Sequence, residues 1–292
     1  MKDTCIKALA LNETIRVYLI NNTNTVNEEI TRHNLWPSAT SVLAKVTSVA
    51  QMMGLMLKND AALTIKIAGN GSLGKVIVDC NALGEARGYV DHPDVNFVNN
   101  SGGLNDYYAV GTEGIIEVIK DLKMKDLFTS SVKLTGNLAS DFTYYFFESE
   151  QTPSLVSLGV LVNEDNTCDI SGGIIIQVLP NATDKEISYV ESKANLLNNF
   201  SNLLKEKSHL DILKMLFEEN FEILEEHEVC FKCNCSKETF SRSLLTLGSK
   251  TLKEIKDEDH KIEAVCHYCN NKYQFSEDEI QALIDEALKQ GK

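Results

Sequence analysis

The sequence of 292 residues predicts an α+β protein with three regions. Strand and helix patterns are mixed without regular alternation over residues 1–180, which favours a mixed sheet-and-helix core domain over a doubly wound α/β sheet. An amphipathic stretch without glycine or proline follows over residues 181–227 and predicts a helical linker. Residues 228–292 form a small C-terminal region that holds five of the eight cysteines.

The core domain contains short apolar segments bounded by turn residues, as strands usually are. RVYLI (16–20) and LTIKIAG (63–69) are rich in β-branched residues, and SGGIIIQVLP (171–180) ends at a proline. The segment at 37–58 has the length of a helix, with Pro37 at its start, where proline is tolerated. Its apolar part, VTSVAQMMGLML (46–57), is too short to span a bilayer and predicts a buried helix.

The glycine-rich segment GNGSLG (69–74) matches the dinucleotide fingerprint G-x-G-x-x-G. That fingerprint requires a helix directly after it, because the pyrophosphate lies at the helix N-terminus. The next residues, KVIVDC (75–80), have the composition of a strand instead. We therefore expect a turn between two strands and no nucleotide site.

The linker and the chain end both show helical periodicity. In the linker, leucine, methionine and phenylalanine recur at helical spacing and need a surface to pack against. They are Leu196, Leu197, Phe200, Leu203, Leu204, Leu210, Leu213, Met215, Leu216 and Phe217. Near the end, Ser276 and Glu279 fit a capping box, which predicts a terminal helix.

Composition excludes several classes of function. The formal net charge of -14 repels phosphate backbones, so we expect no nucleic-acid partner. Charged residues interrupt the N-terminal segment and no window of eighteen apolar residues exists, so we expect no secretory signal and no membrane partner. The expected compartment is the reducing cytoplasm, where clustered cysteines serve as metal ligands or redox centres.

The C-terminal cysteines suit a tetrahedral Zn²⁺ site, which takes four thiolates. VCFKCNCS (229–236) supplies Cys230, Cys233 and Cys235, and AVCHYCNN (264–271) supplies Cys266 and Cys269. Either Cys230 with Cys233 or Cys233 with Cys235 could join the later pair. Spacing alone leaves both sets of ligands open.

The residues around these cysteines resemble a known family. FKCNCS (231–236) with CHYCNNKYQF (266–275) looks like the zinc centre of the redox-regulated 33 kDa chaperonin family of heat-shock holdases. ESEQTPS (148–154), SGGIIIQVLP, and GNGSLG with ARGYV (86–90) resemble further segments of that family, so the resemblance runs the length of the chain. In that family the C-x-C pair binds the metal. The resemblance therefore implies one Zn²⁺ per chain, bound by Cys233, Cys235, Cys266 and Cys269.

The resemblance also implies an ATP-independent chaperone, which is not an enzyme. It would be zinc-bound and inactive when reduced, and disulfide-bonded and client-binding when oxidised, with disulfides Cys233–Cys235 and Cys266–Cys269. A C-x-C disulfide is strained and reducible, as a regulatory bond should be. Release of the ion should unfold residues 228–292, undock the linker and expose an apolar surface for unfolding client proteins. We assign that surface to Leu197, Phe200, Leu204, Leu213, Leu216 and Phe217, and we expect a homodimer in the oxidised state.

The remaining cysteines and the nearby histidines have simpler interpretations. Cys230 departs from the family pattern and is expected to be a bystander, since a free cysteine packs as a small hydrophobe. Cys5, Cys80 and Cys168 are expected to be buried thiols of the core domain. His227, His260 and His267 flank the cluster, but four cysteines already fill the coordination shell of zinc.

Two other functions remain as alternatives. A zinc-ribbon module for nucleic acid is disfavoured by the acidic residues near the cluster, which outnumber Lys232 and Lys237. A thiol oxidoreductase using Cys266 and Cys269 would place its C-x-x-C at a helix start in a βαβ context, whereas Asn270 and Asn271 indicate a turn.

Overall fold

A computed structural model describes residues 2–99 and 103–290 of the chain. The chain divides into two compact units, Met1–Lys232 and Cys233–Lys292. Within the described residues the first unit contains two β-sheets with helices, and the second contains a β-hairpin with three helices. The predicted α+β class is confirmed. Residues 181–232 lie in the first unit, and the division of the chain after residues 180 and 227 stays a prediction.

The first unit is built from the following elements in chain order. They are β1 (Thr4–Ala10), β2 (Ile15–Asn21), α1 (Thr23–His33), α2 (Pro37–Gly54), β3 (Ala62–Gly69), β4 (Lys75–Asn81), β5 (Glu85–Val90), α3 (Asp106–Val110), β6 (Gly114–Asp121), β7 (Phe128–Lys133), α4 (Leu138–Glu148), β8 (Ser154–Val162), β9 (Cys168–Val178), α5 (Asp184–Lys193), a 3-10 turn (Ala194–Leu197), α6 (Phe200–Glu206), α7 (His209–Phe217), β10 (Phe221–Glu228) and β11 (Cys230–Phe231).

The strands of the described part of this unit form two sheets. The first sheet has the order β10-β1-β2-β9-β8, and the second has the order β11-β5-β4-β3-β6-β7. Neighbouring strands are antiparallel, except that β11 runs parallel to β5.

Helix α2 packs against both sheets and forms the centre of the first unit. Apart from Pro37 and Lys45, each of its residues is buried, so the rest of the first unit surrounds this helix on nearly all sides. The predicted buried helix is confirmed. The opposite face of the first sheet packs against helices of the segment 184–217.

The segment GNGSLG is a turn, as predicted. It joins β3 to β4, which pair antiparallel, and Gly74 has a φ of +70°. At Gly71 a Cβ atom would lie 2.3 Å from the carbonyl oxygen of Ala109, so this position needs a glycine because the backbones approach closely.

The linker is helical over most of its length but not at its end. Helices α6 and α7 appear where periodicity predicts them, and α5 lies within the segment predicted to be helical. The helical prediction is wrong for residues 221–227, which with Glu228 form β10 and pair with β1. The glutamates there favour a helix locally, but the open edge of β1 offers a full set of main-chain hydrogen bonds, and tertiary pairing overrides weak local propensity.

The second unit is small. Its elements are α8 (Lys237–Leu245), α9 (Gly248–Asp259), β12 (Ile262–Val265), β13 (Lys272–Phe275) and α10 (Glu277–Lys289). The capping box of Ser276 and Glu279 is present, so the predicted terminal helix is confirmed. Its buried core consists of Leu245, Leu252, Phe275, Ile280, Leu283, Ile284 and Ala287. Across the described residues of both units, no helix is long and apolar enough to cross a bilayer.

Candidate metal centre

Two short segments of the second unit present four cysteines to one another. Cys233 and Cys235 directly precede α8, whose first turn is capped by the Ser236 side chain. Cys266 and Cys269 lie in the turn that joins β12 to β13. The turn is closed by two main-chain hydrogen bonds, from Asn270 N to Cys266 O at 2.8 Å and from Cys266 N to Asn271 O at 3.0 Å.

The four sulfurs have the spacing of a tetrahedral thiolate site. All four Sγ atoms lie within 4.8 Å of one another. The Sγ atoms of Cys233 and Cys266 are 3.7 Å apart, and those of Cys235 and Cys269 are 3.3 Å apart. Zinc–sulfur bonds of about 2.3 Å give a tetrahedron with edges of about 3.8 Å. The four thiols could therefore hold a metal ion of this size.

The electrostatics of the turn favour neutral thiols until a cation is present. Burial raises the pKa of Cys266 and of Cys269 above the ordinary value of a thiol. Main-chain N–H groups of Tyr268 and Cys269 act in the opposite direction at the Cys266 sulfur, because they stabilise its thiolate. Binding of a cation would thus release protons from the site.

Tyr273 completes the site and was not singled out from the sequence. Its hydroxyl lies 3.2 Å from Cys235 Sγ and donates to the Cys235 carbonyl oxygen at 3.0 Å. Contact with the sulfur raises the pKa of Tyr273 to about 12, so the phenol remains a donor at neutral pH. Its ring packs on Phe240 of α8 at a centroid distance of 5.1 Å. Only strand pairing, which places Tyr273 opposite Ala264, brings it to the cluster.

The other candidate ligands lie elsewhere. Among the described residues, the group of closely spaced ligand atoms consists of the four cysteines and contains neither Cys230 nor a histidine. Cys230 belongs to β11 of the first unit, opposite Glu85, and burial raises its pKa. His227 Nε2 lies 2.7 Å from Glu225 Oε2, and His260 Nδ1 lies 3.8 Å from Glu277 Oε2.

The three cysteines of the core domain are buried, as predicted. Cys5, Cys80 and Cys168 each have an exposed fraction of 5% or less. Burial raises the pKa of all three, to about 12 for Cys168. They are therefore neutral thiols with little reactivity toward oxidants, since the thiolate is the reactive form.

The residues assigned to the client surface form one concealed cluster in the first unit. Leu197, Phe200, Leu204, Leu213, Leu216 and Phe217 are all buried. They pack against apolar side chains of the first sheet, including Ile6, Val17, Leu19, Ile174 and Ile176. These apolar side chains of the linker and the apolar face of the first sheet thus cover each other.

Two glycines of the sheet let α6 approach closely, a role for which no sequence pattern was found. At Gly159 a Cβ atom would lie 2.4 Å from the backbone nitrogen of Ser201. At Gly172 it would lie 2.5 Å from Cδ2 of Leu204 and 2.1 Å from the carbonyl oxygen of Ile20. Side chains at these positions would push α6 off the sheet.

Comparisons with known proteins agree with the motif resemblance. The sequence model of the Hsp33 protein family matches residues 3–276. The chain is 45% identical over 287 residues to the 33 kDa chaperonin of Staphylococcus aureus strain Newman, covering 97% of this chain and 98% of that protein, and strain COL gives the same values. A crystal structure of the 33 kDa chaperonin (heat shock protein 33 homolog) of Thermotoga maritima matches with a TM-score of 0.93 and 31% identity, covering 99% of this chain and 100% of that one.

Proposed function

The chain belongs to the Hsp33 family of 33 kDa chaperonins and is a redox-regulated molecular chaperone, and we propose that its switch is the cluster of four cysteines. The observation that carries this proposal is the mutual approach of four sulfurs within 4.8 Å. The reduced, metal-bound form is inactive. The oxidised form is an ATP-independent holdase, a homodimer that binds unfolding proteins and prevents their aggregation under oxidative stress.

The metal is Zn²⁺, one per chain, and its ligands are Cys233, Cys235, Cys266 and Cys269. A set of four thiols with near-tetrahedral spacing supports zinc over harder cations, which prefer oxygen ligands. The bound ion holds the sulfurs as thiolates and cross-links the two turns. Tyr273 donates a hydrogen bond at the Cys235 end of the cluster, which fixes that turn relative to β13.

Oxidation joins Cys233 to Cys235 and Cys266 to Cys269. In each pair one thiolate attacks a peroxide oxygen and becomes a sulfenic acid, and the peroxide's other oxygen leaves as water. The second thiol then displaces the sulfenic oxygen as a second water. Each disulfide thus forms with the two-electron reduction of one peroxide, and four sulfurs are lost as ligands.

Loss of the ion unfolds most of the second unit. Its core has few buried apolar side chains, and such small units depend on added cross-links. Structural zinc supplies about 10–16 kcal/mol of folding free energy in small metal-binding domains. A whole domain typically has a net stability of about 5–15 kcal/mol. The fold of residues 233–292 therefore depends on the metal, and we expect residues 228–232, which pair with β1 and β5, to be released with it.

Release of the linker then uncovers the client surface. The buried stripe of α6 and α7 and the sheet face beneath it become accessible together. A large contiguous apolar surface is unusual on a folded monomer and binds the exposed apolar segments of other chains. The net charge of -14 helps keep such complexes soluble.

The test is suppression of aggregation by the reduced and the oxidised protein, measured side by side by light scattering of a thermally unfolding client without ATP. We expect suppression at near-stoichiometric amounts only after peroxide treatment with mild heat. Equal activity of the two forms would contradict the redox switch. No activity in either form would contradict the holdase function.

We propose that the cysteines perform no catalytic turnover. In support, Cys266 and Cys269 lie in a hairpin turn, whereas oxidoreductases place C-x-x-C at a helix start. In a dithiol-reductase assay, once two equivalents of peroxide per chain have formed the disulfides, consumption should not exceed the rate of the dithiol and peroxide alone. Continued turnover would favour an oxidoreductase.

A further inference from the structure

Strand β10 is an edge strand held mainly by its main chain. It pairs with β1 from Phe221 opposite Ala10 to Glu228 opposite Thr4, with a register shift between Lys7 and Ala8. Most of its side chains are exposed on both faces of the sheet, including Ile223 and Leu224. Apolar burial therefore contributes little to its attachment.

The charges of β10 add only weak attachment. The strand carries four glutamates within eight residues, and like charges so close repel one another. Glu228 pairs with Lys2 at 2.5 Å, and Glu225 pairs with Lys7 at 3.4 Å. Glu228 and Lys2 are largely exposed, and exposed ion pairs contribute about 0–1 kcal/mol.

The position of β10 in the chain makes its departure part of linker release. It follows α7 directly, and Val229 continues its pairing by donating from its N–H to Asp3 O at 3.1 Å. At the other end, Leu11 N donates to Asn220 O at 3.0 Å. When the linker undocks, the alternate N–H and C=O groups of β1 that faced β10 are left unpaired, while the others remain bonded to β2. This open edge readily accepts another strand.

We propose that this freed edge of β1 is a docking site for clients, which bind as an extended antiparallel strand in the place of β10. The inference rests on the proposed holdase function and specifies how its clients are held. The pairing of β10 with β1 shows which ligand fits this edge: an extended segment of a non-native polypeptide, bound through its main chain.

Main-chain pairing suits a chaperone with many clients. Every unfolded chain offers the same N–H and C=O groups, so the docking is independent of sequence. Alternate side chains of the added strand continue the sheet face of Ile6, Ala8 and Ala10, which the linker helices cover at rest. The preferred segments thus alternate apolar and polar residues, contain no proline, and tolerate an acidic residue opposite Lys7.

Hydrogen exchange with a defined probe tests this docking. The probe is a ten-residue peptide of alternating valine and threonine flanked by glutamates, and the matched control carries proline at alternate positions. In the full-length oxidised protein, the amides of β1 that bond to β10 at rest should exchange rapidly and regain protection with the probe but not with the control. The β1 amides that bond to β2 should stay protected. The amides of β2, a central strand, should stay protected throughout.

Affinity gives a second readout. The control peptide should bind at least about tenfold more weakly than the probe, because the loss of two main-chain hydrogen bonds of typical strength corresponds to that factor. Equal binding of both peptides, or β1 amides that stay unprotected beside a bound probe, would overturn the docking. Protection that instead rises with protein concentration, without peptide, would assign the edge to a second copy of this chain.

A locked strand provides the complementary variant. Thr4 and Glu228 lie directly opposite each other, so Thr4→Cys with Glu228→Cys can cross-link β10 to β1. The oxidised double variant should bind the probe at least about tenfold more weakly than either single variant. Full binding by the locked protein would overturn the proposal.

The failure of the two proposals can be told apart. If wild-type oxidised protein also fails to suppress aggregation, the holdase function is wrong. If only the probe experiments fail, the edge docking alone is wrong.

Discussion

Glu29 of α1 is a fully buried carboxyl of the first unit. Its two oxygens accept hydrogen bonds from the Thr47 hydroxyl at 3.0 and 3.2 Å. Burial raises its pKa from 4.5 to about 8, partly offset by the Thr47 hydrogen bonds. The carboxyl is therefore protonated in the folded protein at neutral pH and ionised in the unfolded chain.

The raised pKa of Glu29 makes stability depend on pH. The contribution of Glu29 to the free energy of unfolding is complete below pH 4.5 and is lost as the pH rises to about 8. Between those values the free energy of unfolding falls by about 1.4 kcal/mol per pH unit. Glu29→Gln should remove this slope, as measured by urea unfolding of the reduced protein from pH 5 to pH 9. Glu28→Gln, at the half-exposed neighbouring position that pairs with Arg32, is the control. An unchanged slope in Glu29→Gln would show that other groups cause it.

The ligand assignment is also tested at single residues. Cys233→Ser should abolish stoichiometric zinc and lower the melting temperature of the second unit, because three thiols no longer complete the tetrahedron. Cys230→Ser is the matched control three residues away and should retain one zinc per chain, measured by metal analysis of the reduced protein. Loss of zinc from Cys230→Ser as well would assign the metal to Cys230 and Cys233 with the later pair instead.

The linker helices act as a cover, and their apolar stripe can be broken without oxidation. Leu213 and Phe217 of α7 are buried against the first sheet, so Leu213→Glu with Phe217→Glu should weaken docking by several kcal/mol. The reduced double variant should suppress aggregation partly, while its affinity for clients falls. Leu210→Glu, at a 44% exposed position of the same helix, should behave as wild type.

The outcome that contradicts this role is equally specific. Suppose that the double variant does not suppress aggregation when reduced and suppresses it fully when oxidised. The linker would then neither conceal the client surface nor form part of it. Circular dichroism of the variant checks that the two sheets remain folded. The client site would then lie within residues 1–180.

At the scale of the whole molecule, oxidation should act on one part of the chain. Peroxide with mild heat should release zinc, lower helicity and abolish hydrogen-exchange protection over residues 181–292. Protection should persist in residues 1–180 apart from the edge of β1, because α2 holds the two sheets around a core that the metal does not touch. Uniform loss of protection would mean that the whole chain is one cooperative unit.

Local sequence was enough to predict the features that depend on neighbours along the chain. The buried helix α2, the turn at GNGSLG and the capping box of α10 each follow from residues within one segment. The crowded cysteines and the motifs around them indicated the family and the four candidate ligands for the same reason. These signals are local because helix periodicity, turn chemistry and ligand spacing operate over a few residues.

Tertiary structure decided what depends on partners far apart in sequence. The glutamate-rich segment 221–228 became a strand only because β1, from the start of the chain, offers it an edge. Tyr273 reached the Cys235 sulfur through hairpin register, and Gly159 and Gly172 matter only because α6 lies on them. Pairing and close packing gain their free energy from the matching surface, which a local pattern does not contain.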